Sequence, residues 1–109
     1  MKSIALILCA ATIMTGCGAI QTGSVSRAYE TYENQDYQRT LDLISFAQKV
    51  NELPSELSAE LNYLKAKTYA QQGDTEKSNS LFRYLAEHHR DTAFGYLAYK
   101  EAETSNNSD

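Results

Sequence analysis

The chain of 109 residues is short enough for one small domain, and its formal net charge is −4. An acidic protein is repelled by phosphate backbones and anionic lipids, which argues against nucleic acid and against electrostatic attachment to a membrane. One proline, five glycines and no long stretch of alternating polarity predict an all-α fold.

The first sixteen residues have the layout of a targeting segment. Lys2 supplies a positive start, and residues 3–14 (SIALILCAATIM) form an uncharged, mostly apolar run. A membrane-spanning helix needs roughly 20 apolar residues, so this run is too short to span a bilayer. It fits the apolar region of a secretory signal, and residues 1–16 are predicted to be a signal peptide.

Residues 14–17 (MTGC) are similar to the lipobox of bacterial lipoproteins, in which an apolar residue and two small ones precede a cysteine. This resemblance implies that Cys17 is lipidated and becomes the first mature residue. In that family an aspartate after the cysteine retains the protein in the inner membrane, so Gly18 implies the periplasmic face of the outer membrane of a Gram-negative bacterium. The alternatives are an ordinary signal peptide with an incidental cysteine, or an uncleaved helix.

Cysteine usage agrees with a lipidated residue 17. Cys9 lies inside the apolar run and would leave with the signal, so Cys17 would be alone and could form no intramolecular disulfide. Removing residues 1–16 takes away Lys2 and no acid, which moves the formal charge from −4 to −5. We therefore expect the lipid, and not the protein surface, to hold the domain at the membrane.

Residues 17–26 are small and polar after the cysteine and predict a flexible linker, and residues 104–109 predict a disordered tail. The domain is expected to cover residues 27–103. Asp36, Asp74 and Asp91 each stand before a predicted helix as N-cap candidates, and Gly73 is placed to close the preceding helix. The helices between these signals are predicted at residues 37–50, 56–72, 75–89 and 92–103.

The predicted helix at 56–72 has apolar residues on two opposite sides. At 100° per residue, one side carries Leu57, Leu61, Leu64 and Thr68. The other side carries Ala59, Tyr63, Ala66 and Ala70. A helix with two opposed apolar stripes is predicted to lie between neighbours on both sides.

Residues 31–48 and 68–87 are similar to each other. Each segment has a Thr-Tyr pair, a polar turn that ends in aspartate, and then an amphipathic helix. Aligned on Asp36 and Asp74, the two copies are 38 residues apart. The alignment pairs Thr40 with Ser78, Ile44 with Phe82, and Ala47 with Leu85.

The second copy resembles a tetratricopeptide repeat (TPR). Ala66 and Tyr69 stand at the small and Tyr places of its first helix, and Ser78 with Phe82 supplies the small-then-aromatic pair of its second. The resemblance implies about two TPR-like antiparallel hairpins, with residues 92–103 as a capping helix. The alternative is a four- or five-helix bundle whose two hairpins are similar by chance. Because such repeats usually need about three copies for stability, self-association also remains open.

No pattern in the sequence calls for catalysis, a metal or a cofactor. His88 and His89 point about 100° apart on a helix and cannot both face one metal; a solvated helix end is the favoured interpretation. The carboxylates are spread over polar faces, and no phosphate-binding glycine loop or nucleophilic triad occurs. We therefore expect a protein that is not an enzyme.

The eight tyrosines are the most suggestive side chains, because tyrosine is enriched at protein interfaces. In TPR proteins the first helices of the hairpins line the inner surface. That resemblance implies a partner groove lined by Tyr29, Tyr32, Asn62, Lys65 and Tyr69. The alternative is that most tyrosines fill the core, which we favour for Tyr63 and Tyr69.

Taken together, these features predict an outer-membrane lipoprotein that acts as a protein–protein adaptor in a cell-envelope assembly or secretion system. Its partner would be another envelope protein, and its only contact with the membrane would be the lipid. The first alternative is a small structural or inhibitory lipoprotein that works as a homo-oligomer. An enzyme accessory subunit is the third.

Overall fold

The computed structural model describes residues 19–50 and 52–107, and all regular structure in this part of the chain is α-helical, as predicted. The predicted signal peptide and Cys17 lie outside the described residues. The helices are α1 (Ala19–Glu33), α2 (Tyr37–Val50), α3 (Ser55–Gln71), α4 (Thr75–His88) and α5 (Ala93–Asn107).

The five helices form two hairpins and a C-terminal helix. Connections of three or four residues join consecutive helices, and connections this short make neighbours antiparallel. α1 packs on α2, and α4 packs on α3 and α5. α3 also contacts α1, the first helix of the other hairpin, and the C-terminal helix α5. The predicted arrangement of helical hairpins followed by a further helix is confirmed.

Two hydrophobic clusters lie on opposite sides of α3. The first contains Ala28, Ile44, Ala47, Leu61 and Leu64, and the second contains Ala59, Ala66, Phe82, Leu85 and Ala98. Each takes residues from one predicted stripe of α3, so the expected position between neighbours on both sides is confirmed. Ala70 differs from the prediction: it lies near the end of α3 and is exposed.

The two copies of the internal repeat form the same backbone hydrogen bonds at their turns. In the first turn the Gln35 and Asp36 amides donate to the Tyr32 and Thr31 carbonyls, at 3.0 and 2.9 Å. In the second turn the Gly73 and Asp74 amides donate to the Ala70 and Tyr69 carbonyls, at 3.1 and 2.9 Å. Both are Schellman helix ends, and both put the residue before the aspartate at positive φ, 65° for Gln35 and 84° for Gly73.

One of the predicted helix caps is confirmed and one is corrected. The Asp74 carboxylate accepts a hydrogen bond from the Lys77 amide at 3.2 Å, as an N-cap should. Before α5 the capping side chain is Thr92 and not the expected Asp91: its hydroxyl accepts from the Gly95 amide at 3.0 Å and donates to the His89 carbonyl. Thr92 is buried, while Asp91 points to solvent.

The helical part is longer at both ends than residues 27–103. α1 begins at Ala19, so residues 19–26 are helical where a flexible linker was expected. Val25 packs against the first cluster, which shows how tertiary contact overrides a small, polar local sequence. α5 continues to Asn107, and the Thr104 hydroxyl donates to the Lys100 carbonyl at 3.0 Å, within the segment predicted as a tail.

The turn at Gln35 offers a direct gain in stability. A side chain in the left-handed region costs free energy that glycine avoids, and the equivalent turn already has Gly73 there. We expect Gln35→Gly to raise the free energy of unfolding by about 1 kcal/mol and Gly73→Ala to lower it by a similar amount. Urea unfolding followed by circular dichroism measures both. Equal midpoints for the two variants and the parent would contradict the assignment of these turns.

Gly95 is required by the close approach of the α4–α5 turn to α5. A Cβ at this position would overlap the His89 carbonyl group and lie 2.9 Å from the Thr92 hydroxyl oxygen. We expect Gly95→Ala to lower the free energy of unfolding by about 2 kcal/mol or more, because the obstacle is backbone. Gly23→Ala is the matched control: its Cβ would meet no atom within 4 Å, and helix propensity should make it neutral or stabilising.

Candidate partner-binding face

The side-chain contacts of α3 show which of its two polar sides faces α1 and which faces α2. On one side the Tyr29 hydroxyl of α1 donates to the Glu60 carboxylate at 3.0 Å. On the other side the Gln48 amide of α2 donates to the Asn62 side-chain oxygen at 3.3 Å. The side of α3 that carries Glu60 therefore faces α1, and the side that carries Asn62 faces α2.

The side chains on the Glu60 side form what we call the tyrosine face. It consists of Tyr29, Tyr32, Glu60, Tyr63, Lys67 and Glu101. Its residues come from α1, α3 and α5, the helices that the fold places side by side. The three tyrosines are half-buried, and Lys67 and Glu101 are exposed. The face thus combines half-buried aromatic rings with exposed charged side chains.

Tyr63 is the residue of this face with the most aromatic contacts. Its ring centre is 5.5 Å from that of Phe82 on α4 and 5.5 Å from that of Phe94 on α5. The Lys67 ammonium lies 5.8 Å from the Tyr63 ring centre, within the range of a cation–π contact. Because the ring is held by the second cluster, its hydroxyl end has a fixed position at the surface.

Tyr32 extends the face toward the Asp36 and Asp74 turns. Its ring packs edge-on against Tyr37 with the centres 5.7 Å apart. The Tyr37 hydroxyl in turn donates to the Gln71 side-chain oxygen at 3.5 Å. The first turn of α2 is therefore tied to the last turn of α3 through a row of aromatic and polar side chains.

Two phenols of this face, those of Tyr29 and Tyr63, have a raised pKa. Burial raises the pKa of Tyr29 well above its usual value, and the hydrogen bond to Glu60 raises it further. Burial also raises the pKa of Tyr63, with the neighbouring Glu101 carboxylate as the next cause. Protonated phenols beside carboxylates act as hydrogen-bond donors and not as bases, so this arrangement serves recognition better than proton transfer.

The five residues predicted to line a groove are divided by α3. Tyr29 and Tyr32 lie on the tyrosine face, whereas Asn62, Lys65 and Tyr69 lie on the opposite side of the helix. Lys65 and Tyr69 are brought together there, in an open cleft of about 490 Å³ between α3 and α4. The structure therefore does not form a single groove from the predicted set.

The cleft at Lys65 and Tyr69 carries both signs of charge. The Lys77 ammonium lies 5.3 Å from the Tyr69 ring centre and 3.6 Å from an Asp74 carboxylate oxygen. Glu76 and Leu81 also line the cleft. Lys77 is thus already paired with a ring and a carboxylate, and Lys65 is the second cation of the cleft.

Four residues of the tyrosine face were not among the predicted site residues: Glu60, Tyr63, Lys67 and Glu101. The sequence signal for two of them exists, because Glu60 and Lys67 fill the gap between the apolar stripes of α3 on the side away from Asn62. Nothing in the sequence places Glu101 of α5 beside Tyr63. That neighbourhood depends on the contact between α3 and α5.

His88 and His89 lie at the end of α4, as predicted, and both contact Tyr84. The ring centres are 4.8 and 5.6 Å apart. Within residues 19–50 and 52–107, no three side chains of His, Cys, Asp or Glu come together as metal ligands would. In the same part of the chain, none of the helices combines the length and the apolar character that crossing a bilayer requires.

Comparisons of the chain with protein-family models, with curated proteins and with solved structures find no match.

The raised pKa of Tyr29 predicts a loss of stability at alkaline pH. The unfolded chain releases the Tyr29 proton near the ordinary pKa of 10.0, whereas the folded protein keeps it to a higher pH. The stabilising contribution of Tyr29 is therefore complete below pH 10.0 and is lost progressively as the pH rises above that value toward the folded-state pKa. We expect the free energy of unfolding of Tyr29→Phe to fall less between about pH 9 and 11 than that of the parent. Urea titrations across this range measure the difference.

Glu60→Gln is the matched variant for this test. It keeps a hydrogen-bond acceptor for Tyr29 but removes the negative charge, so its alkaline loss should lie between those of the parent and Tyr29→Phe. If all three proteins lose stability in parallel, the coupling of Tyr29 to Glu60 is absent.

Proposed function

We propose that this protein is a lipid-anchored adaptor of the bacterial cell envelope that binds another protein through its tyrosine face. The observation that carries the proposal is the row of half-buried tyrosines across α1 and α3, with charged side chains beside it. The anchor is Cys17, on the strength of the lipobox resemblance of residues 14–17, and Gly18 favours the periplasmic face of the outer membrane.

The chemistry of the tyrosine face favours a protein partner. Tyrosine offers a large contact area and a polar tip at a low cost in conformational entropy, and its rings here are already fixed by packing. Each ring can cover apolar surface of a partner while its hydroxyl exchanges hydrogen bonds. Aromatic anchors held by packing are typical of the centres of protein interfaces.

The charges of the face favour a partner segment with arginine or lysine side chains. Glu60 supplies a carboxylate beside Tyr29, and Glu101 supplies one beside Tyr63. A guanidinium can pair with a carboxylate and stack on an aromatic ring at once. Among the described residues Lys67 is the cation of this face, and it is exposed over the Tyr63 ring. The protein's overall acidic charge supports association with a basic segment.

A pair of lysines on α3 provides a direct test. Lys67 lies on the tyrosine face and Lys65 on the opposite side of the same helix, two residues away. A photo-crosslinking amino acid replaces each in turn in the full chain, expressed in a Gram-negative host. We expect the residue at position 67 to capture an envelope protein and the residue at position 65 to capture much less of it, because only the first position borders the tyrosines.

The outcome also separates the adaptor from its alternatives. Capture of a second copy of this chain at position 67 would replace the adaptor with a self-associating structural lipoprotein. Equal capture from both positions, or capture from position 65 alone, would contradict the tyrosine face as the binding surface. Capture from position 65 alone would favour the cleft of Lys65 and Tyr69 instead.

A further inference from the structure

The exposed large apolar side chains of the described residues are gathered at one end of the molecule. They are Phe46, Tyr84, Tyr96 and Leu97, with 56, 45, 50 and 44% of their surface exposed. Phe46 and Tyr84 are also equivalent positions of the internal repeat, 38 residues apart. Single exposed apolar residues are ordinary, but the position of all four near one end raises the question of what that end meets.

The antiparallel order of the helices defines this end. One end of the stack, which we call the anchor end, contains the starts of α1, α3 and α5 and the ends of α2 and α4. Phe46 and Tyr84 each precede the last residue of their helix by four positions, and Tyr96 and Leu97 follow the first residue of α5 by three and four. At 1.5 Å per residue, each lies within about 6 Å of that end along its helix.

The opposite end of the stack has a different character. It is formed by the two Schellman turns, whose residues are Asn34, Gln35, Asp36, Gln72, Gly73 and Asp74. No exposed large apolar residue among the described ones belongs to that end. The apolar surface is therefore polarised along the helix axes.

α1 begins at the anchor end. Cys17 is two residues before Ala19, and two residues span at most about 7 Å even when fully extended. The residue proposed to carry the acyl chains is thus held by chain length next to the end that exposes the apolar side chains. A lipid embedded in a bilayer would bring that end, and not the turns at Asp36 and Asp74, to the membrane surface.

We propose that the anchor end rests on the bilayer, with Phe46, Tyr84, Tyr96 and Leu97 in the interfacial region. This inference rests on the proposed lipid anchor and adds to it a second contact, made by the protein itself. Aromatic rings favour the headgroup level of a bilayer, where tyrosine keeps its hydroxyl hydrated while its ring meets acyl chains. The domain would then stand on the membrane with its helix axes pointing away from it.

Charge does not drive this contact. The anchor end carries Lys49, Arg83 and Arg90 together with the ring pair of His88 and His89, but also Glu52, Glu56, Glu87 and Asp91. Arg90 is already stacked on the Tyr99 ring, with its guanidinium carbon 3.8 Å from the ring centre. Since the charges nearly balance, apolar burial next to an existing anchor is the stabilising contribution, and the contact should persist at high salt.

Single tryptophans test the orientation, because the chain contains none. Phe46→Trp and Tyr84→Trp place a probe at the anchor end, and Gln72→Trp places the control at the opposite end. The full lipidated protein is reconstituted into vesicles of phosphatidylethanolamine and phosphatidylglycerol, with and without brominated acyl chains. We expect bromine to quench the probes at positions 46 and 84 several-fold more than the probe at position 72, at low and at high salt.

Flotation of the same samples separates this inference from the anchor. If the protein floats with the vesicles and all three probes are equally unquenched, the anchor stands and the membrane contact of the anchor end is overturned. If it fails to float, as expected for a Cys17→Ser control, both proposals fail. Should a photo-crosslinker at position 84 capture a protein in the intact envelope instead of lipid, the surface belongs to a protein partner and the bilayer contact is wrong.

Discussion

Leu61 and Ala66 lie on opposite sides of α3 and both are fully buried, and the rest of the fold follows from that double burial. A helix with two apolar sides is insoluble alone, so it needs α1 and α2 on one side and α4 and α5 on the other. The bulky side, with leucines, packs into the first hairpin. The small side, with alanines, lets α4 approach closely and leaves room for the rings of Tyr63 and Phe82.

The same double burial creates the candidate site. Two opposed apolar sides leave two polar strips along α3, and each becomes part of a surface shared with the neighbouring helices. On the strip that faces α1 and α5, Glu60 and Tyr63 are held between elements that are close in space but far apart in sequence. The tyrosines are fixed because they belong to the edges of the hydrophobic clusters, while their hydroxyls stay at the surface. The proposed binding surface is thus a consequence of how the two hydrophobic clusters are closed.

The sequence predicted the helices, the two-sided α3, the Asp74 cap and the repeat, because each depends on residues that are close along the chain. It could not predict which polar strip of α3 faces α1. The two polar strips have the same spacing in the sequence, and only the way the hairpins stack places Glu60 against α1 and Asn62 against α2. The start of α1 was missed because its small polar residues have little helix signal and are held by the packing of Val25. Thr92 was missed because Asp91 is the stronger cap by type alone.

The repeat pattern also explains why the apolar surface lies where it does. Phe46 and Tyr84 occupy equivalent positions, so their exposure is a property of the repeat, whereas Tyr96 and Leu97 lie on a side of α5 that no helix among the described residues covers. In a longer stack a next hairpin would bury that side of α5. Within residues 19–50 and 52–107 this surface is open, and it lies at the end where α1 begins. If the bilayer occupies it, the anchor and the open end of the stack serve one contact, and the tyrosine face on the side of the stack stays free for a protein partner.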